Sequence, residues 1–307
     1  MSEEFRSGFV AIVGQPNVGK STLMNRLIGQ KISITSHRPQ TTRHRILGIH
    51  TDSSKQIVFV DTPGIHSTKK KSNRKTINRV INKTALSSIE GVDVICLLIT
   101  ARGWSEADKH VLRAVQQSKV PIMLLINKID RLDSINDVLP LIAESNDLHN
   151  FAEIIPISAL SNGKHSNTDH LLDVFHAYLP IAPAGFDEND VTDRSYRFLV
   201  AELVREQLFR RLGDELPYAT AVELTRFELQ DGVYQVAADI WVEKDSHKSM
   251  VIGKGGSALK QIGSAARKSA ESLLEQRVFL ELYVKVRSGW SDNARDLYAL
   301  GYDEDRL

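Results

Sequence analysis

Residues 14–21 read Gly14-Gln15-Pro16-Asn17-Val18-Gly19-Lys20-Ser21, and no other stretch constrains the fold of this chain as tightly. They fit G-x-x-x-x-G-K-[ST], set between an apolar run at 9–13 and a helix-compatible stretch at 19–28. Glycines let such a loop curl until successive N–H groups point at phosphate oxygens, and the first helical turn adds its partial positive charge. Lys20 is then placed to reach the terminal two phosphates of a nucleotide. Ser21 is placed to offer its hydroxyl to Mg²⁺.

The surroundings suit that loop. Short apolar runs at 57–60, 92–99, 120–126 and 154–157 alternate with helix-compatible stretches near 76–90, 105–118, 135–146 and 168–179. Such an alternation predicts a mostly parallel sheet between helix layers, with ligands outside the carboxyl ends of the strands. The pattern changes after residue 180. Residues 181–195 read as a linker. A long helix at 194–212, a hairpin turning at Asp231-Gly232, helix at 257–276 and an alternating strand at 278–286 form a smaller α+β unit. At 307 residues, two domains are expected from a rule of about 150 residues each. The divisions are 1–180, a linker at 181–195, and 196–307.

Composition closes off other classes. Apolar residues at 42% and charged residues at 25% exclude a disordered chain. A net charge of +1 excludes a globally basic surface, so nucleic-acid contact must be local. Cys96, the single cysteine, lies in an apolar run and reads as core filler in a reducing compartment. No apolar run approaches a membrane span, and Met1-Ser2-Glu3-Glu4 is acidic where a signal peptide is basic. A cytoplasmic protein is expected. The histidines show no metal-ligand spacing.

Three further strand ends carry chemistry. Asp61-Thr62-Pro63-Gly64 follows the run at 57–60; its carboxylate would sit near the metal and the Gly64 N–H near the terminal phosphate. Asn127-Lys128-Ile129-Asp130 follows the run at 120–126. A carboxylate at Asp130 accepts the ring N–H and exocyclic amine of guanine, neither of which adenine offers at that edge. A site built on that pair discriminates by on the order of 10⁴. Asn127 would tie this loop to the phosphate loop while the Lys128 stem covers the base. Ser158-Ala159, after the fifth run, would give a backbone N–H to the guanine oxygen.

These residues resemble the translation-factor-related class of Ras-like GTPases, which implies an α/β P-loop NTPase fold. Within that resemblance, Gln40-Thr41-Thr42-Arg43 looks like switch I, with Thr42 as the better Mg²⁺ ligand and Thr41 second. Ile65 follows Gly64 where Ras-type enzymes hold a water-orienting glutamine. Slow intrinsic hydrolysis is implied, with Lys20, Thr42, Asp61 and Gly64 as the catalytic set. Related GTPases with a hydrophobic residue there use K⁺ bound partly by an asparagine in the phosphate loop, the position of Asn17. Asn17 serves equally well as a stabiliser of the Pro16-Asn17 turn.

In the second unit, Val251-Ile252-Gly253-Lys254-Gly255-Gly256 precedes a helix and matches the G-x-x-G loop of KH domains, which clamps about four single-stranded nucleotides. Between residues 244 and 268 six basic residues, Lys260 among them, face the single acid Asp245. Base contacts are expected through Val251, Ile252 and the helix that follows. The order of elements fits the type II KH arrangement. Taken with 31–36, 40–45, 215–218 and 284–290, the whole chain resembles the Era family of bacterial GTPases. The resemblance implies a monomeric GTPase that assists assembly of the small ribosomal subunit and whose KH domain holds the 3′ end of small-subunit ribosomal RNA. It also implies partial association with the inner membrane. A metabolic P-loop kinase or ATPase, an RNA-binding adaptor with a structural nucleotide and a membrane-associated cell-cycle GTPase are the rival readings.

Overall fold

The computed structural model describes residues 4–38, 41–64, 76, 77, 81, 84, 89–160, 166–213 and 216–302. Gln40, Ile65 and most of the helix expected at 76–90 lie outside them.

The first unit is a six-stranded sheet: β1 (Arg6–Gly14), β2 (Ile46–Thr51), β3 (Lys55–Asp61), β4 (Val94–Thr100), β5 (Ile122–Asn127) and β6 (Glu153–Ile157). Their order is β2-β3-β1-β4-β5-β6, and only the β2–β3 pair is antiparallel. Alternate residues explain the unbroken apolar runs. Val10 and Ile12 face a core shared with α1 (Lys20–Ile28) and α4 (Leu171–Tyr178). Ala11 and Val13 face the opposite core, with α2 (Glu106–Val115) and α3 (Leu139–Leu148). A sheet buried on both faces leaves no position for a polar alternate. Cys96 is core, and burial pushes its thiol well above the usual range.

Two features depart from expectation. β2 is an antiparallel edge strand that the sequence pattern did not announce, since Gly48 and His50 break its apolar run. The stretch 181–195 is no loose tether. Ile49 N–H donates to Val191 O at 3.0 Å, and Leu47 N–H to Asp193 Oδ1 at 3.1 Å. The buried Gln56 side chain accepts from Gly185 and Phe186 and donates to Phe186 O. The strap thus satisfies an exposed sheet edge.

The second unit has α5 (Tyr196–Arg211), β7 (Thr220–Gln230), β8 (Val233–Val242), α6 (Asp245–Ile252), α7 (Ser257–Leu274), β9 (Arg277–Val286) and α8 (Ala294–Ala299). β7 and β8 form the expected hairpin, with Asp231 and Gly232 at φ 50° and 73°. β9 adds in parallel to β8. α5 and α7 cover one sheet face through Val204, Leu208, Ile262 and Ala266. Trp241, Trp290 and Leu297 cluster on the other. The helix α6 was not anticipated: its polar, lysine-bearing start hides the apolar face that ends in Val251. Among the described residues no helix is long and apolar enough to cross a membrane.

The units meet at His44, whose ring stacks on Tyr302 at 4.3 Å and meets the Phe198 ring edge-on at 5.2 Å. Burial, reinforced by Arg205, Arg194 and Arg43 against the pull of Glu202, lowers its pKa from 6.5 to about 4. The folded chain therefore holds His44 neutral where the unfolded chain protonates it. Its contribution to stability is intact above pH 6.5 and is lost as pH falls toward 4. Denaturant titrations should show a His44→Phe variant losing less stability than the parent between about pH 7 and about pH 4.5, by on the order of 2 kcal/mol. Identical losses in both proteins would contradict this assignment.

Candidate nucleotide and RNA sites

The loop 14–21 runs from the end of β1 into α1. Gly14 has φ 150°, and a Cβ there would stand 2.5 Å from Leu98 O. Gly19 has φ 113°, and a Cβ there would stand 2.2 Å from Asn127 Nδ2. Neither position admits a side chain. Lys20 is buried, its ammonium donating to Gly14 O at 3.0 Å and Gln15 O at 2.9 Å. Burial pulls its pKa down to about 8, against the attraction of Asp61. A desolvated ammonium held by two loop carbonyls gains greatly from a phosphate oxygen.

Three oxygen donors converge beside Lys20. Ser21 Oγ lies 2.9 Å from Thr42 Oγ1 and donates to Asp61 Oδ2 at 2.7 Å. Asp61 is 0% exposed. Burial raises its pKa, opposed by Lys20, Ser21 and Ser33. Its Oδ1 is buried without a hydrogen-bond partner. Two hydroxyls and one carboxylate with an unsatisfied oxygen form a hard-donor set that fits Mg²⁺, with water and phosphate completing the shell. Thr41 points elsewhere, its Oγ1 donating to Arg38 O at 2.7 Å beside Ser36 Oγ. Thr62 Oγ1 donates to Ile12 O, and Gly64 lies so close to Pro16 that a Cβ would stand 2.9 Å from its nitrogen. Sequence reasoning missed Ser33, which donates to Asp61 Oδ2 at 2.8 Å. It lies in the stretch 31–36 that carries the family resemblance, but nothing in that stretch assigns it a role; only the folded chain brings it to Asp61.

At the other end, Asn127 Nδ2 donates to Val18 O at 2.7 Å. Its Oδ1 accepts from Lys128 N and Ala159 N. Lys128 has φ 69°, and its ammonium donates to Asn17 O, so the side chain crosses between the loops. Ile129 is buried, and Asp130 accepts from Ser158 Oγ. Neither Ser158 nor Ala159 keeps a free backbone N–H: Ser158 N donates to Ser166 O at 2.9 Å and Ala159 N to Asn127 Oδ1 at 3.0 Å. Asn127 Oδ1 thus holds both Lys128 N and Ala159 N. Asn17, at φ 64°, donates from Nδ2 to His37 O at 2.7 Å, joining the phosphate loop to the segment that leads into Thr41 and Thr42.

In the second unit, Gly253 has φ 72° and sits where a Cβ would stand 2.7 Å from Ala258 Cβ. Gly255 and Gly256 are also left-handed, at φ 59° and 78°. Lys254 and Lys260 are exposed around this turn. A groove lined by Gly256, Leu259, Lys260, Gly263, Arg267 and Leu282 runs beside it. Val251 does not reach bases as expected. It is 0% exposed and packs with Val204 and Ile262 in the core, because it falls on the inner face of α6. Ile252 is half-buried against the same core. Among the described residues no group of three His, Cys, Asp or Glu side chains could hold a metal.

Comparison with known proteins follows this division. Residues 9–128 match the family described as 50S ribosome-binding GTPase, and residues 215–291 match the KH domain family. The GTPase Era of Xanthomonas oryzae pv. oryzae (strain MAFF 311018) is 48% identical over 302 residues, 98% of this chain and 99% of the relative. A crystal structure of Era with MgGDPNP and nucleotides 1506–1542 of 16S ribosomal RNA superposes with a TM-score of 0.91 at 38% identity, covering 97% and 99% of the two chains. A variant of Aquifex aeolicus Era bound to GDP and AlF4⁻ superposes equally well, with the same coverage, identity and score. A P-loop site ordered around Asn127 and a KH domain, matched together over nearly the whole length, show that this chain belongs to the Era family of GTPases.

Proposed function

We propose that this protein is a molecular switch that hydrolyses GTP to GDP and phosphate and, in its GTP state, holds the 3′ end of small-subunit ribosomal RNA during assembly of the small subunit. The convergence of Ser21, Thr42 and Asp61 beside Lys20 carries this reading. Residues 1–180 serve as the nucleotide domain, 181–195 as the strap between domains, and 196–307 as the RNA domain. Ser21 and Thr42 hold Mg²⁺, with Asp61 behind them. When bound, the ion neutralises charge on the β- and γ-phosphates.

The protein's own groups do the rest. Lys20 exchanges its two carbonyl partners for phosphate oxygens. Gly64 brings its N–H toward the terminal phosphate while Pro16 fixes its position. Asp130 selects guanine through two hydrogen bonds, leaving Ser158 Oγ as its third partner. Gly253, Lys254, Gly255 and Gly256 let a phosphodiester backbone approach closely, and Lys260 and Arg267 supply charge along the groove. Era bound to MgGDPNP and a 16S ribosomal RNA segment has this arrangement of two domains, which supports the same ligands here. We further propose a cytoplasmic monomer with peripheral contact with the inner membrane, as the family resemblance in the sequence implies.

The Ile65 side chain is a hydrocarbon and cannot polarise the attacking water, so the missing stabilisation comes from backbone, another ion or a partner, and we favour an ion. Asn17 shares in binding K⁺ there. Steady-state phosphate release should run about tenfold faster in KCl than in NaCl at matched ionic strength. Equal rates would remove K⁺ from the site. An oligonucleotide with the 3′-terminal small-subunit sequence should bind about tenfold more tightly with a non-hydrolysable GTP analogue than with GDP. Gly253→Asp should abolish RNA binding while nucleotide affinity stays unchanged. Equal RNA dissociation constants in the two nucleotide states would contradict the switch.

A further inference from the structure

Two charged side chains of α5 reach out of the RNA domain and end on the segment that runs from Lys31 into Thr42. Arg205 is 2% exposed. Its Nε and Nη2 donate to the Glu202 carboxylate, each at 2.6 Å, and Nη2 also donates to Thr41 O. The guanidinium carbon lies 5.1 Å from the Phe209 ring. The next residue along, Glu206, is 0% exposed. Its Oε1 accepts from Thr35 N at 3.0 Å and its Oε2 from Lys31 Nζ at 2.6 Å. Arg210 closes the contact, donating to Glu206 and to Thr35 O.

Desolvating such charges costs more than a well-packed apolar contact would, so stability alone does not account for them. Their common feature is what they hold. Thr41 O is the carbonyl immediately before Thr42, and Thr42 Oγ1 is the donor that stands 2.9 Å from Ser21 Oγ. Thr35 N lies at the start of the same segment. Arg43, on the far side of Thr42, donates to Pro217 O, Tyr218 O and Thr220 O of the second unit. Switch I is thus gripped on both sides of Thr42 by the domain that is not the nucleotide domain.

We infer that Arg205 and Glu206 are positioning residues of the nucleotide site, holding the switch I backbone so that Thr42 stands over Ser21. The nucleotide site is incomplete without α5 of the RNA domain. The inference deepens the GTPase reading above and rests on it. It also specifies where the two sites are coupled: any ligand of the RNA domain that moves α5 moves Thr42.

Thr42 contributes to a site for Mg²⁺ and a terminal phosphate, which GDP lacks. Loss of positioning therefore weakens the triphosphate selectively. The test compares affinities for a non-hydrolysable GTP analogue and for GDP, in Mg²⁺, in the full-length chain. Arg205→Met should weaken the analogue on the order of tenfold, with GDP affinity within about twofold of the parent. Glu206→Gln, which loosens the hold on Thr35, should shift the ratio in the same direction. In a Thr42→Ala background Arg205→Met should have no further effect, because the residue it positions is gone. Equal weakening of analogue and GDP by both variants, or full additivity with Thr42→Ala, would make the contacts merely structural and overturn the inference. A parent protein that binds neither nucleotide would instead remove the guanine-nucleotide reading on which it rests.

Discussion

The Asn127 side chain is the contact on which the site's geometry depends. Its Nδ2 holds Val18 O of the phosphate loop, and its Oδ1 holds the backbone of Lys128 and Ala159. One amide therefore ties the phosphate loop to the two loops that carry Lys128–Asp130 and Ser158–Ala159. It also explains a sequence constraint at a distance. Gly19 has no side chain because Asn127 Nδ2 occupies the place a Cβ would need. Such interlocking makes the loop rigid before ligand arrives, so little binding energy is spent on ordering it.

A second constraint comes from burial of charge at the junction between the units. Arg43, Arg205, Glu202 and Glu206 are all buried there. Arg205 and Glu202 stabilise each other's charged forms, which moves the arginine pKa up and the glutamate pKa down despite desolvation. Buried pairs of this kind tolerate only one geometry, since moving either partner strands the other. The relative placement of the units is fixed by those polar contacts and by the His44–Tyr302 stack. Placement of the units and placement of switch I are consequently the same structural fact.

Much of this was legible in the sequence. The phosphate loop, Asp61, Asn127 and Asp130 sit at strand ends because short motifs beside buried apolar runs leave few other arrangements. The hairpin at Asp231-Gly232 was readable for a similar local reason: both residues adopt positive φ readily. What escaped depends on long-range contact. β2 is held by its partner strand and by the strap at 181–195, and its own residues alternate poorly. Ser33 is 28 positions from Asp61, and no spacing links them. Val251 was misplaced because a G-x-x-G turn says where its flanking residues are in the chain, and only α6 decides which of them faces inward. The helix at 194–212 was legible, but the partners of Arg205 and Glu206 lie in the first unit, more than 160 positions away, and no local pattern links them.

Phosphate grip and base choice, joined through Asn127, make one prediction that a P-loop kinase or ATPase would not share. Calorimetric titration of the purified chain in Mg²⁺ with non-hydrolysable GTP and ATP analogues measures it directly. The account predicts a preference for the guanosine compound on the order of 10⁴, set by Asp130. Equal affinities for the two purines would contradict it.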